Sequence, residues 1–261
     1  MQLVWFRIAI TLVIITGYIL IARKQIKASK TELLQMAGIG IIIAAHWLAF
    51  YGAIHVSNVS VTMAAFSTGT LFTSIIEPLF FKRKIIWYEI VIGSIIIGAI
   101  CLIFSVENLY WKGIVLGILA ALGSALFSVF NALMIKKDTV NSTTISYVEL
   151  WFGLLSMTIY LLCVGDINSG FFVLNSHDIL GISILAAVCT VFPFIATVDL
   201  MKHLSPYTIT LTVNLETVYG IVLAIFLYKE NKELSYTFYL GVCIILIAVF
   251  LNAWLKSKIK G

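Results

Sequence analysis

Apolar runs long enough to cross a lipid bilayer recur along almost the whole chain. A helix needs about 20 consecutive apolar residues to span a hydrocarbon core about 30 Å thick. Uninterrupted runs of this kind, without apolar–polar alternation, favour helices over a β-barrel. With 61% hydrophobic and 11% charged residues, the chain holds more apolar side chains than a water-soluble core can absorb, because soluble domains average about 45–50% apolar and 25% charged. We therefore predict an all-α polytopic membrane protein.

The runs predict nine transmembrane helices, which we call spans one to nine. The connections between them are short, and the longest covers residues 165–178. No connection is long enough to form a soluble domain. The predicted spans are 3–22, 33–54, 58–81, 86–105, 113–135, 145–164, 179–200, 207–228 and 236–255.

Lys and Arg residues are distributed unevenly between the two sides of the predicted membrane. Four follow span one, three follow span three, two follow span five, one follows span seven and three follow span nine, which places 13 on one side. The other side holds Lys112, Lys229 and Lys232. Because cytoplasmic loops carry the Lys and Arg excess, we predict a cytoplasmic C-terminus. The net charge of +5 is then a topology signal, and no nucleic-acid partner is needed to explain it.

An internal repeat relates the two halves of the chain. A shift of 148 residues places Ser57 on Ser205 and Gly93 on Gly241, so that spans two to four match spans seven to nine. Span one pairs with span six if the 165–178 loop carries a small insertion, and span five has no partner. We therefore expect a further helix before Met1, and two repeats at 1–105 and 106–261. Five helices per repeat is an odd number, which gives the inverted-repeat plan of many secondary transporters.

Three stretches carry a resemblance to a known family. They are "HLSPYTITLTVNLETVYGIVLAIFLYKE" (203–230), "HWLAFYGAIHVSNVSVTMAAF" (46–66) and "FTSIIEPLFF" (72–81). The chain resembles the EamA family of the drug/metabolite transporter superfamily, in which the last-but-one helix often reads N-L-E-P-V-Y-G. Thr217 stands here where proline is common. The resemblance begins at the family's second helix. It implies a ten-helix inverted-repeat bundle in the cell membrane that transports small organic solutes, without fixing the substrate.

Glu216 lies near the centre of span eight. An ionised carboxyl at a helix centre costs about 2.5–3.5 kcal/mol on insertion scales. We therefore expect it to face a polar cavity as a substrate-binding or proton-coupling group, the alternative being a glutamate that fixes helix packing. His46 lies at a similar depth, and a pair with Glu216, direct or through water, is one hypothesis. The predicted substrate or proton-coupling residues are Glu216, His46, Asn214, Tyr219, Trp47, Thr68 and Thr70.

A second group of residues is predicted to form a gate or a mouth: Pro193, Glu77, Arg7 and Glu149. Pro193 frees a carbonyl within the membrane and would bend its helix. The other three lie toward span ends, where anchoring at the membrane interface is the alternative. Thr70, Thr73, Ser74 and Glu77 share one helix face. Their hydroxyls either form a polar stripe or bond to carbonyls of their own helix.

The sequence favours a secondary transporter, an exporter of small organic metabolites or amino-acid-like solutes that works by alternating access. It contains no Walker A pattern and no HExxH motif or comparable catalytic set, so we expect neither direct ATP use nor an enzyme. The alternatives are an inactive truncated paralogue, an intramembrane enzyme or a channel. The four cysteines lie on separate spans without a CxxC motif, and we expect no metal or other cofactor. The expected partners are a small-molecule substrate and the lipid bilayer, and a homodimer is left open.

Overall fold

The computed structural model describes residues 1–106, 108–168, 170–229 and 234–259. Lys232, counted in the charge distribution, and Glu230, the last residue of the quoted stretch 203–230, lie outside these ranges. The described residues form helices and connecting turns, with no β-strand among them. The α-helices, in chain order, are α1 (Gln2–Ile21), α2 (Lys30–Val56), α3 (Val59–Phe66), α4 (Gly69–Phe81), α5 (Trp87–Val106), α6 (Trp111–Ile135), α7 (Ser142–Val164), α8 (Ser176–Ala186), α9 (Phe192–Leu200), α10 (Pro206–Val213), α11 (Leu215–Tyr228) and α12 (Tyr236–Ile259).

Seven helical stretches in the described part of the chain are long and apolar enough to cross a membrane. Two shorter apolar helices, Trp87–Ile103 and Tyr236–Asn252, correspond to the predicted spans four and nine. The predicted class, an all-α polytopic membrane protein, is therefore confirmed. The seven long stretches are Gln2–Ile21, Lys30–Val56, Val59–Phe81, Trp111–Ile135, Ser142–Val164, Ser176–Leu200 and Pro206–Tyr228.

Side chains of the local sequence set many of the helix ends. Asn58, Asn141 and Ser205 each accept a hydrogen bond from the backbone N–H three residues later, which satisfies a donor that has no partner inside the helix. Lys82 and Lys229 end α4 and α11 in the left-handed conformation, with φ of 52° and 58°. Such left-handed residues commonly stop helices. These polar residues therefore mark where the helices begin and end.

The chain forms two compact units. The first comprises residues 1–48 and 130–204, and the second comprises 49–129 and 205–261. Each unit combines pieces of both predicted repeats, and the repeat boundaries at 1–105 and 106–261 stay a prediction.

In the first unit, α1 packs against α7 and α8. Trp5 Nε1 donates to Thr158 Oγ1 at 2.9 Å near one end of α1, and Thr16 bonds to the hydroxyl of Tyr147 near the other. These two contacts show that α1 and α7 run antiparallel. The buried residues of α1 recur every three or four positions and form one face of the helix: Val4, Ile8, Thr11, Leu12 and Ile15.

In the second unit, α5 packs against α12, α3 against α11, and α4 against α10. Small residues allow the backbones to approach closely. A Cβ added to Gly241 would lie 2.6 Å from Cγ1 of Ile103, and one added to Gly117 would lie 2.7 Å from Cβ of Ala65. The four cysteines take no part in such packing, because all of them are free and exposed.

Candidate functional site

Two membrane-length helices of the second unit are broken near their middle. In each, a first segment of eight residues is followed by a longer one: α3 by α4, and α10 by α11. At the breaks, Ser67, Thr68 and Asn214 have ψ between −14° and −17°, close to 3₁₀ geometry. The amide of Leu71 accordingly bonds to the carbonyl of Thr68, three residues back. Short 3₁₀ stretches inside helices often mark functional hinges.

The two broken helices share one pattern at an offset of 147 residues. The cap Asn58 corresponds to Ser205, the break residue Ser67 to Asn214, and the left-handed Lys82 to Lys229. The predicted offset of 148, based on the identity of Ser57 and Ser205, is one residue too long in this region. Asn and Ser both cap helices well, so the equivalent positions share a role and not a residue type.

The two breaks meet inside the second unit. Nδ2 of Asn214 donates to the carbonyl oxygen of Ser67 at 3.2 Å and to Oγ1 of Thr70. The hydroxyl of Thr70 donates to the same Ser67 carbonyl at 3.0 Å. On the other side of the break, Thr217 donates to the carbonyl of Met63 at 3.4 Å. We call Ser67, Thr70, Asn214 and Thr217 the helix-break site. All four are buried.

The break itself explains why the Ser67 carbonyl accepts side-chain donors. In a continuous α-helix the amide of Leu71 would bond to this oxygen, but here it bonds to Thr68. A buried carbonyl without a donor is costly in a membrane. The side chains of Thr70 and Asn214 supply the donors, so the two helices are fastened to each other where each is interrupted.

The polar stripe predicted along span three bonds mainly to its own helix. Thr70, Thr73 and Ser74 donate to the carbonyls of Ser67, Gly69 and Leu71. Thr73 also reaches Oγ1 of Thr210 at 3.2 Å. Both alternatives for the stripe therefore hold in part.

Glu216 and Tyr219 lie just beyond the break and are exposed, Tyr219 by 65%. Residues two positions apart in an α-helix, such as Asn214 and Glu216, differ by about 200° around its axis. Glu216 therefore points away from the face that Asn214 buries. Its orientation into a polar cavity stays a prediction. Thr68 is buried and donates to the carbonyl of Ala65 at 2.8 Å.

In the first unit, Arg7 and Pro193, which the sequence analysis singled out separately, lie at the same π-helical turn. Residues 187–191 form a π-helical turn directly before Pro193. Proline has no N–H to offer the carbonyl four residues earlier, which is that of Cys189. Nη2 of Arg7 donates to this carbonyl at 3.3 Å, and Nε of Arg7 donates to Thr190 at 2.7 Å. Such π-turns occur frequently at functional sites.

The same arginine contacts a further predicted residue. Cζ of Arg7 lies 4.9 Å from the ring centre of Trp47, within the range of a cation–π interaction. Trp47 and the neighbouring His46 are both buried. His46 belongs to the first unit and Glu216 to the second, and the hypothesis that they pair stays a prediction.

Glu77 lies in a buried group of charges at the end of α4. Its Oε1 pairs with Nε of Arg83 at 3.0 Å, and its Oε2 accepts from the backbone N–H of Tyr207 at 2.8 Å. Arg83 also pairs with Glu89 at 3.2 Å. Glu77 is only 4% exposed, and its carboxylate binds the positive end of α10. Its role at a gate or as an interface anchor stays a prediction.

Sequence reasoning missed Arg83, Glu89, Tyr207 and Asn252 in this group. Arg83 was counted only as a topology signal, although it is six residues from both Glu77 and Glu89. The amide of Asn252 bonds to the hydroxyl of Tyr207, and 45 residues separate the two. No local signal in the sequence could have found that contact.

Glu149, predicted at a gate or mouth, is fully buried in the first unit. Its Oε2 accepts from Nδ2 of Asn131 at 3.2 Å. Asn131 was also missed by the sequence analysis. Among the residues that the structure describes, no group of three or more His, Cys, Asp and Glu side chains could hold a metal ion.

Comparisons with known proteins agree with this architecture. Residues 111–254, more than half of the chain, match the family model described as "EamA-like transporter family". A solved structure titled only "Crystal structure of protein" superimposes with a TM-score of 0.68 at 12% identity, over 100% of this chain and 89% of that one. At this identity the likeness shows a shared fold alone. No curated protein matches the chain. The resemblance found in the sequence is thus confirmed, and the chain is an integral, multi-pass membrane protein that belongs to the EamA-like transporter family.

Proposed function

We propose that the protein is a secondary transporter that exports small organic metabolites or amino-acid-like solutes by alternating access. The observation that carries this proposal is the helix-break site, together with membership of a transporter family. In many secondary transporters, discontinuous helices near the bilayer midplane form the substrate and ion sites. A break leaves backbone carbonyls and polar side chains that can exchange one partner for another.

The proposed roles follow from position. Asn214, Thr70 and Thr68 lie at the breaks of the second unit, where a solute with hydrogen-bonding groups could replace the bonds between the helices. Tyr219 and Glu216 lie one turn beyond, on an exposed face of α11. In the first unit, Trp47 and Arg7 provide an aromatic face and a fixed positive charge, which suit a solute with an apolar part and an anionic group.

Glu216 and His46 are the proposed proton-coupling groups. A carboxyl or an imidazole within a membrane span can bind a proton on one side and release it on the other. We further propose that the protein resides in the cell membrane with its C-terminus in the cytoplasm. The excess of Lys and Arg in the segments that follow spans one, three, five, seven and nine supports this orientation.

Metabolite profiling of medium and cytoplasm, with and without expression of the protein, tests the transport function. Expression should raise the concentration of at least one small organic solute in the medium and lower it in the cells. Identical profiles across growth conditions would overturn the proposal.

A carboxylate substitution then tests the coupling group. We expect Glu216→Gln to insert normally and to lose net export, or its pH dependence, because the amide keeps the size of the side chain but cannot titrate. Asp166→Asn is the matched control, since Asp166 is an exposed carboxylate in a connection, and it should export like the wild type. Wild-type export by Glu216→Gln across pH 5 to 8 would assign a structural role to Glu216.

A further inference from the structure

The first unit contains a carboxylate that its surroundings satisfy only in part. Glu149 is completely buried, and its Oε2 accepts one hydrogen bond, from Nδ2 of Asn131. Among the described residues, neither Oε1 of Glu149 nor Oδ1 of Asn131 has a hydrogen-bond partner. A carboxylate oxygen and an amide oxygen are both acceptors. Two buried oxygens, one on each of these hydrogen-bonded side chains, therefore lack a donor or a cation.

The helix α2 approaches the backbone of α7 very closely at Glu149. A Cβ added to Gly40 of α2 would overlap the carbonyl oxygen of Glu149, and it would lie 3.0 Å from Cβ of Phe152. Only a glycine allows the backbone of α2 to come so near. The backbone of α7 at Glu149 is thus in close contact with α2, and the carboxylate itself is fully buried beside Asn131 of α6.

No described basic side chain forms an ion pair with Glu149. Arg7 on α1 is held by the π-helical turn. Asp199 on α9 pairs with Lys202 at 2.8 Å. His46 lies six residues beyond the point where α2 packs on Glu149, which is about 9 Å along the axis. The charge of the carboxylate is therefore not compensated by these groups, and an uncompensated buried charge is expensive.

A row of polar groups connects Glu149 with one end of its helix. Ser142, Ser146 and Glu149 are spaced by four and three residues, so they share one face of α7. The hydroxyl of Ser142 donates to Oδ1 of Asp199 at 3.1 Å, and the Asp199 side chain is 52% exposed. Oγ of Ser146 is buried and has no hydrogen-bond partner among the described residues. The row offers oxygen atoms from the surface to Glu149, over about 10 Å.

We propose that Glu149 and Asn131 bind one monovalent cation, H⁺ or Na⁺, and that its binding and release are coupled to transport. A proton would bond to Oε1 and convert the carboxylate to a neutral acid, while Na⁺ would be coordinated by Oε1 and Oδ1. Either ion reaches the site along Ser142 and Ser146. Only the coupling to transport rests on the proposed function, and the binding of the cation does not.

Thermal unfolding of the purified full-length protein in detergent tests the binding. The wild-type Tm should fall as the pH rises if the ion is H⁺. If the ion is Na⁺, the Tm at high pH should rise with NaCl but not with choline chloride. Glu149→Gln should lose whichever dependence the wild type shows, because the amide carries no charge to neutralise. Asp166→Asn is the matched control and should keep the wild-type dependence, since Asp166 is an exposed carboxylate in a connection.

A second variant keeps the test decisive if Glu149→Gln does not fold. Asn131→Ala retains the carboxylate but removes both Oδ1 and the Nδ2 donor to Oε2. If the ion is Na⁺, the variant should raise the Na⁺ concentration for half-maximal stabilisation by about ten-fold or more. If the ion is H⁺, the loss of the donor favours the neutral acid and should move the fall in Tm to higher pH. An equal dependence in wild type, Glu149→Gln and Asn131→Ala would overturn the proposal, as would its loss in Asp166→Asn alone. Buried water would then satisfy the two oxygens.

Transport assays separate the coupling from the binding. Export by the wild type should depend on the gradient of the ion that stabilises the protein, and Glu149→Gln should abolish this dependence. Unchanged gradient-driven export by Glu149→Gln would refute the coupling. Cation-dependent stability in a protein that exports nothing would instead refute the proposed function and leave the cation site standing.

Discussion

Replacing Asn214 by aspartate probes the helix-break site most directly. Aspartate has nearly the same size, but an oxygen takes the place of Nδ2. The bonds that Nδ2 donates to the Ser67 carbonyl and to Thr70 are lost, and two oxygens then face each other at about the same spacing. Alanine at this position removes the same bonds without adding an opposing charge. The pair of variants therefore separates the loss of a donor from the addition of a carboxylate.

The structure sets the expected magnitudes. Side-chain hydrogen bonds inside membrane proteins contribute about 0.6 kcal/mol on average and about 1.7 kcal/mol at most. Because Asn214 donates two bonds and is only 2% exposed, Asn214→Ala should lower the free energy of unfolding by about 1–3 kcal/mol. Asn214→Asp adds the cost of a buried charge, about 2.5–3.5 kcal/mol, for a total of about 4–7 kcal/mol.

Reversible unfolding of the purified protein from mild detergent into SDS, followed by circular dichroism, measures these differences. At neutral pH the order of stability should be wild type, Asn214→Ala and then Asn214→Asp. At pH 5 the two variants should approach each other, since a protonated aspartate carries no charge. Asn168→Asp is the matched control, because Asn168 accepts its bond through Oδ1, which aspartate retains. If Asn214→Asp unfolds like the wild type, the amide does not join the two helices.

Two further predictions concern the buried charges and the orientation. Arg83→Gln should lower the free energy of unfolding in the same SDS assay by about 3–5 kcal/mol, because it leaves Glu77 and Glu89 buried without their shared cation; wild-type stability would show that the pairs contribute nothing. In a variant without the four exposed native cysteines, new cysteines on the cytoplasmic side should resist an impermeant thiol reagent added to intact cells, and one in the 165–178 loop should react. The reverse pattern would invert the orientation. The cytoplasmic test positions lie in 23–31 and 136–143.

The class of the protein and the approximate helix boundaries follow from the sequence. Helix length is limited by bilayer thickness, and the preference for the membrane is a sum over neighbouring residues. Both are local properties that can be counted along the chain. The sequence also indicated several residues that lie at structural breaks, among them Asn214, Thr70 and Pro193. Each is a polar or helix-breaking residue inside an apolar run, which local reasoning detects.

Sequence reasoning did not locate the helix breaks themselves. Ser67, Thr68 and Asn214 are neither Gly nor Pro, and they keep φ and ψ in the right-handed helical region. The interruption consists of one turn in which backbone amides donate to the carbonyl three residues earlier. It is stabilised by donors from the other helix, so its position depends on a contact between residues 144 positions apart. The predicted repeat offset of 148 is wrong in this region for a related reason. It aligned identical residues, whereas the helix caps correspond at an offset of 147.

Composition and the length of the apolar runs are enough to predict apolar helices in a membrane and the polar side chains that they carry. How these side chains are paired depends on the folded structure. Arg7 bonds to Thr190, Asn131 to Glu149, and Tyr207 to Glu77. A polar group in hydrocarbon must find a partner, but the sequence does not say which one, because the choice depends on helix faces brought together by packing. That packing makes Glu149 a buried carboxylate beside an amide and leaves Glu216 exposed.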